Sequence, residues 1–451
     1  MSQSSLKQQA IRGTIWTIFG YGSSQVLRFG SNLILTRLLM PELFGLMALV
    51  QVFINGLYLF SDIGIRPSII RSDRGDDPVF LNTAWTLQAI RGLALWLCCL
   101  IIALPVSKYY EDTRLLWLIP IVGLNTIISG FNSTSLASLN RHMEIGKIAI
   151  FELGTQIVSL LILIAFAWLN PTIWALVWGN LISISIKALV SHSLDSRVSN
   201  RFTWNKDAFK EISSFGKWIF LSTAMTFLAS QADRILLGKF FSLEMLGVYV
   251  VAYTFSDIPR QISLKISSKV IYPAIAQQIG TSNKKLKVKI VQQRWKLLAF
   301  TIVILSFLFC FGDMVILTLY DSRYEQAAWI LPILALGLWP LILCATIDRY
   351  LMVIGKPIYL ATGNFFKFIY MLVCIPVGFE KMGILGAVIV ITFNDIPYYL
   401  AVQYGLLREK IMILSQDFKA SILLVLAIAL LLTMRFIAGW EIPIDIFREA
   451  F

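Results

Sequence analysis

Runs of about twenty apolar residues, the length a helix needs to cross a bilayer, follow one another along nearly the whole 451-residue chain. They lie near 12–36, 43–63, 79–104, 115–138, 148–168 and 172–193. A second set lies near 214–237, 245–265, 297–318, 326–350, 358–377, 383–406 and 419–437. In lipid the backbone must satisfy its own hydrogen bonds, and for runs this long the helix does so within one segment. Charged residues are 14% of the chain, against about 25% in a soluble domain. The sequence therefore predicts an all-α polytopic membrane protein. The longest polar stretches, 195–214 and 277–296, leave no room for a soluble catalytic domain. The first run carries Arg28 and lacks a small-x-small cleavage site, so a retained helix is expected, not a signal peptide.

The chain also repeats itself. "TRLLMPELFGLMALV" (36–50) and "GKFFSLEMLGVYVV" (238–251) align under a shift of 202, which sets Arg37 on Lys239, Glu42 on Glu244 and Gly45 on Gly247. The same shift sets Trp16 on Trp218. Each stretch reads as the turn between the first two helices of a six-helix set. Pro41 suits a first helical position, Ser242 an N-cap, and Glu42 and Glu244 the positive end of a helix dipole. Six spans return the chain to its starting side, so the two copies are parallel repeats, an arrangement that places substrate sites between halves. The expected organisation is an N-terminal six-helix lobe (1–195), a cytoplasmic linker (196–213) and a C-terminal six-helix lobe (214–406) around a central cavity. An accessory transmembrane helix with an outer tail (407–451) completes it.

Lys and Arg are distributed about three to one in favour of the side bearing the N-terminus, which marks that side as cytoplasmic. Its loops carry Arg66, Arg71, Arg74, Arg141, Lys147, Arg197, Arg201, Lys206 and Lys210, and the stretch 277–296 adds Arg294 and Lys296. The net charge of +13 then reflects this bias and attraction to anionic membrane lipids, not a nucleic-acid surface. "KKLKVKIVQQRWKLL" (284–298) suits a basic helix lying on the inner leaflet.

Charges inside spans are costly and face the bundle interior or water. On the first span Tyr21, Gln25, Arg28 and Asn32 share one helical face. Gln51, Asn55, Tyr58 and Asp62 do the same on the second. The second copy carries Arg234, Tyr253, Asp257 and Arg260 on the matching helices. Glu152, Gln156 and Ser159 stripe the fifth span; Gln88 and Arg91 pair in the third, Asn364 and Lys367 in the eleventh, and Asp395 lies in the twelfth. Two readings stand: fixed ion pairs between packed helices, or a water-filled cavity. The cavity is expected, because Arg28, Arg91, Arg234, Arg260 and Lys367 outnumber Glu152, Asp233, Asp257 and Asp395. Such a cavity, lined also by Gln25, Asn32, Gln51 and Asn55, would attract a phosphate or pyrophosphate head. Of Asp62, Asp257 and Asp395, at least one is expected to switch partners during transport, although Asp257 with Arg260 one turn away could equally be a fixed pair. No metal-ligand spacing, phosphate loop or nucleophile elbow occurs, so neither a cofactor nor a metal is expected.

"LTRLLMPELFGLMALV", "FSDIGIRPSIIR" and "LNTAWTLQAIRGL", with "ISSFGKWIFLSTAM" and "ADRILLGKFFSLEMLGVYVVA", resemble the polysaccharide transport (Wzx-type) family of lipid-linked oligosaccharide flippases. That family belongs to the multidrug/oligosaccharidyl-lipid/polysaccharide exporter superfamily. The resemblance is clearest over 10–95 and 210–275. It implies a bacterial inner-membrane protein that moves an undecaprenyl-pyrophosphate-linked oligosaccharide between leaflets by rocking two lobes. It also implies cationic cavity residues, for which Arg28, Arg91 and Arg260 stand in suitable places, and work alongside a polysaccharide polymerase and chain-length machinery. A multidrug antiporter of the same superfamily would need an acid-dominated pocket. A membrane-embedded polymerase or ligase would need a sizeable outer loop bearing catalytic residues. The sequence offers neither, and a transporter that is not an enzyme is the expectation.

Overall fold

In the computed structural model, residues 3–267, 283–409, 411 and 413–441 are described, and every regular element among them is helical. The chain divides into two compact units, Met1–Phe227 and Leu228–Phe451. The division falls inside a single long helix, Lys206–Phe240.

The first unit holds α1 (Gln3–Leu38), α2 (Pro41–Phe60), α3 (Ile65–Arg71), α4 (Pro78–Tyr110) and α5 (Leu115–Gly130). It continues with α6 (Ser135–Arg141), α7 (Ile145–Leu169), α8 (Ile173–Ser191) and the start of α9 (Lys206–Phe240). Pro41 does open α2. Two spans are broken near the same side. Between α2 and α3 the backbone of Gly64 turns left-handed at φ 68°, a conformation glycine adopts without steric cost. Between α5 and α6 the axis bends by 53°. The two short helices, α3 and α6, pack on each other. The α4–α5 contact depends on glycine: a Cβ on Gly92 would lie 2.5 Å from the Thr126 carbonyl oxygen, and the Thr126 hydroxyl donates to the Gly92 carbonyl at 2.9 Å.

The second unit contains the remainder of α9, then α10 (Leu243–Ser256), α11 (Ile258–Ile266), α12 (Asn283–Leu319), α13 (Ala327–Gly337) and α14 (Trp339–Ala345). After these come α15 (Asp348–Val353), α16 (Ile358–Thr392), α17 (Ile396–Arg408) and α18 (Leu414–Ile437). The repeat is visible in the breaks: α10/α11 and α13/α14 interrupt the corresponding spans, and α11 packs on α14 as α3 does on α6. Pro259, at the second position of α11, lacks the amide that would continue α10. Ser242 caps α10 by accepting from the Met245 amide at 3.1 Å. Within α16 the chain reverses at Gly383 (φ 59°, ψ −141°), so the eleventh and twelfth spans form a hairpin there.

Each of the thirteen runs expected from sequence coincides with a helix, part of one, or a helix pair. Among the described residues, eight helices are long and apolar enough to span a membrane by composition alone, nine with the bent α5/α6 pair. Two differences from expectation have physical causes. The basic stretch 284–298 is continuous with the apolar run in one 37-residue helix, α12, and is not a separate surface helix. Arg294 is fully buried because α18 supplies a carboxylate for it, so it is no loop cation.

Candidate functional site

The polar face of α1 lies in the first unit, where α1 packs along α7. The Ser24 hydroxyl donates to Gln156 Oε1 at 2.6 Å, and Gln156 Nε2 donates back to the Ser24 carbonyl at 3.0 Å. Gln25 and Asn32 are half-buried on α1, and Arg28 is exposed. Among the described residues Arg28 has no ion-pair partner. Glu152, one turn from Gln156 on α7, lines a cavity of about 320 Å³ together with Arg66, Leu136, Asn140 and Ile148.

Arg91 is placed differently. From α4 it reaches the end of α2, donating through Nε to the Ser61 hydroxyl at 2.9 Å and through Nη2 to the Tyr58 carbonyl at 2.6 Å. Its guanidinium also sits 4.5 Å from the Tyr58 ring centre, a cation–π contact. Asp62 turns inward on its own loop and accepts from the Gly64 amide at 2.9 Å, which fixes the left-handed turn. Gln51 donates to Asn55 at 3.0 Å. On the opposite side of the unit, Arg114 joins Glu42 at 2.7 Å and Asp112 at 2.8 Å. Burial alone would raise the Asp112 carboxyl, but hydrogen bonds from Arg114 hold it below its ordinary value.

In the second unit the candidate charges gather in pairs. Asp257, buried, accepts from Arg260 Nε and Nη2, the latter at 2.7 Å, and from Gln261 at 3.0 Å. Lys367 on α16 meets Asp395, at the start of α17, at 2.5 Å. Arg234 lies over the Tyr253 ring at 4.8 Å and donates to Gln231, while neighbouring Asp233 accepts from the Tyr249 hydroxyl at 2.6 Å. Arg260 and Lys367 are thus in ion pairs with Asp257 and Asp395, while Arg234 and Asp233 bond Gln231 and Tyr249. The cation surplus read from the sequence rests on Arg28 and Arg91 of the first unit.

Sequence reasoning missed two buried ion pairs that join α18 to α12. Arg294 meets Asp417 at 2.5 Å and donates to Thr346 Oγ1, Gln416 Oε1 and the Leu343 carbonyl. Arg435 meets Asp313 at 2.5 Å and caps the Cys310 carbonyl. The same separation of 122 positions links Arg294 to Gln416 and Asp313 to Arg435, which is the signal two parallel helices would leave. Among the described residues no group of three or more His, Cys, Asp or Glu is arranged to hold a metal ion.

A family model described as "Polysaccharide biosynthesis protein" matches residues 34–329. The succinoglycan biosynthesis transport protein ExoT of Rhizobium meliloti (strain 1021) is 21% identical over 348 residues, 76% of this chain and 69% of that protein. The lipopolysaccharide biosynthesis protein WzxC of Escherichia coli (strain K12) is 22% identical over 341 residues, 74% of this chain and 67% of that one. Among solved structures, the lipid II flippase MurJ in an inward closed conformation superposes with a TM-score of 0.71 at 16% identity, covering 94% of this chain and 93% of that one. An inward-facing multidrug resistance MATE family transporter gives 0.66 at 15% identity, covering 88% and 96%. These likenesses establish a shared fold.

Proposed function

Because the chain belongs to the polysaccharide biosynthesis protein family, we propose that it is a flippase that moves an undecaprenyl-pyrophosphate-linked oligosaccharide across the bacterial inner membrane. The observation that carries this reading is Arg28. A permanent cation on the polar face of a transmembrane helix, with no ion-pair partner among the described residues, is held at a cost only a ligand or water offsets. A guanidinium offers a diphosphate two parallel donors. The succinoglycan biosynthesis transport protein and the lipopolysaccharide biosynthesis protein among its relatives support the same cargo class.

In this reading the two six-helix halves enclose the cavity and alternate their access, with the N-terminus cytoplasmic by the Lys/Arg distribution. Arg28 receives the diphosphate. Arg91 adds to the positive field, and Gln25, Asn32, Gln51 and Asn55 offer amide groups to sugar hydroxyls. Asp62, Asp257 and Asp395 are the candidates for partner exchange. The chain performs transport and no bond chemistry, and a polysaccharide polymerase with its chain-length machinery takes the product.

The test is complementation. A strain lacking its own exporter of this class should regain surface polysaccharide when it carries this chain, and lose it again with Arg28→Ala at normal membrane abundance. A second reading, export of cationic drugs, draws on the MATE-like fold and the buried acid Asp233. Dye efflux from the same cells, unaffected by Arg28→Ala and without polysaccharide rescue, would select it.

A further inference from the structure

The segment between α8 and α9, which begins the linker read from the sequence, is a strap hydrogen-bonded to the first unit. Asp195 accepts from the Ser138 hydroxyl and from Arg197. Asn200 bonds Ser133 and Thr134 in the α5/α6 break. The Arg201 amide donates to Asn82 Oδ1 at 2.9 Å and the Thr203 amide to Thr86 Oγ1 at 3.0 Å. Asn205 then caps α9 by accepting from the Ala208 amide. Asn82 and Thr86 lie in the first turns of α4, about 6 and 12 Å along its axis from Pro78 at 1.5 Å per residue. The strap therefore runs beside the first turns of a helix long and apolar enough to span a membrane.

What it presents outward is aromatic and basic. Phe202 rests one edge on the buried Trp85 ring, with centres 4.8 Å apart, yet remains 67% exposed. Trp204 is 49% exposed and packs with exposed Phe209 at 5.1 Å. Arg201, Lys206 and Lys210 are exposed between them, without ion-pair partners among the described residues. The nearby acids are occupied or well placed otherwise: Glu211 accepts from the Ser72 hydroxyl, and Asp207 sits in the first turn of α9, where the dipole favours it. Tryptophan and phenylalanine interleaved with lysine and arginine suit the boundary between headgroups and acyl chains.

We propose that residues 201–210 are an interfacial anchor that docks the strap in an anionic lipid leaflet. The membrane contact is independent of the cargo; only its assignment to the inner leaflet rests on the orientation proposed above. The anchor gives the connection between the two repeats a fixed depth in the bilayer.

The chain, reconstituted whole, is exposed to a phospholipid bearing a photoreactive diazirine close to its headgroup, and the products are mapped by mass spectrometry. Labelling is expected on tryptic peptides 202–206 and 207–210. It should be at least about twofold stronger in vesicles containing phosphatidylglycerol than in phosphatidylcholine alone, because each nearby Lys or Arg gains from anionic lipid. Neutralising Arg201→Gln, Lys206→Gln and Lys210→Gln together, with peptides released by chymotrypsin, should abolish that preference and leave the aromatic labelling. Transmembrane peptides from α4 serve as the positive control. If they label while 202–210 does not, and Trp204 is instead oxidised by hydroxyl radicals generated in the water phase, the strap faces solvent or another protein and the proposal fails. If labelling is equal in both lipids, its anionic specificity fails. Polysaccharide export is not read in this experiment, so a wrong cargo would leave its outcome unchanged.

Discussion

Arg28 and Arg91 look alike in the sequence, each a lone arginine on a polar face within an apolar run, and the fold separates them. Arg91 is committed to Ser61 and to the Tyr58 carbonyl, partners 30 and 33 positions away that no spacing rule exposes. Its removal should loosen the end of α2. Two hydrogen bonds from a charged donor are lost together, each contributing about 1 kcal/mol, so Arg91→Ala should lower the thermal midpoint in detergent, and export should fall with it. Arg28→Ala should leave the midpoint unchanged and still abolish export. Equal midpoint losses in the two variants would deny them distinct roles. The Asp257–Arg260 pair, by contrast, was legible, because i, i+3 on one helix face brings the groups together. The Lys367–Asp395 pair was not, because its partners are 28 positions apart and meet only through the reversal at Gly383.

At the scale of elements the spans and the repeat were legible, since apolar length and turn chemistry act locally. Pro41 and Ser242 sit as the sequence implied. The standing of α18 was not legible. It was read as an accessory helix, and it is bolted to α12 at two levels. The bolts lie 19 residues apart along α12, about 28 Å at 1.5 Å per residue, nearly the thickness of the hydrocarbon core. Their polarity is crossed: α12 carries arginine at one level and aspartate at the other. That crossing fixes direction and register, since a sliding or inverted α18 would set like charges together. Removing one partner of a buried pair leaves an uncompensated charge and costs about 3–5 kcal/mol. Arg435→Met alone should therefore strongly destabilise the protein, and Arg435→Met with Asp313→Leu should recover most of the loss. Thermal unfolding of the four combinations measures the coupling. Additive effects of the two changes would mean that the pair does not hold α18.

At the scale of the whole molecule, pH should act first on the strap. The Glu144 carboxyl is held below its ordinary value of 4.5 by Lys147 and Arg197. Asp195, which burial raises, is brought below 3.8 by Arg197, its own turn and Ser138. Groups with lowered folded values stabilise fully above their ordinary values and lose that contribution as pH falls through the lowered ones. Protease access to 195–205 should therefore be unchanged from pH 7 to 5 and rise below about pH 4; a rise already at pH 6 would assign the strap's hold to other groups. Transport poses a different question, because an acid that drives it must exchange partners in the working range. Asp62 is tied to the Gly64 amide in its own turn, and Asp257 to Arg260 and Gln261 on the next turn. Both are local ties within about one turn of chain. Asp395 is tied across the α16 hairpin to Lys367, so its hold joins two separate segments and not one turn. Loss of the charge on Asp395 would release Lys367 and shift the equilibrium only by the difference in that partnership between the two states. In vesicles under an imposed pH gradient, Asp395→Asn should lose the parent's response, while Asp62→Asn and Asp257→Asn keep it at reduced or normal rates. Should all three variants respond as the parent does, these acids hold the fold together and the coupling group lies elsewhere.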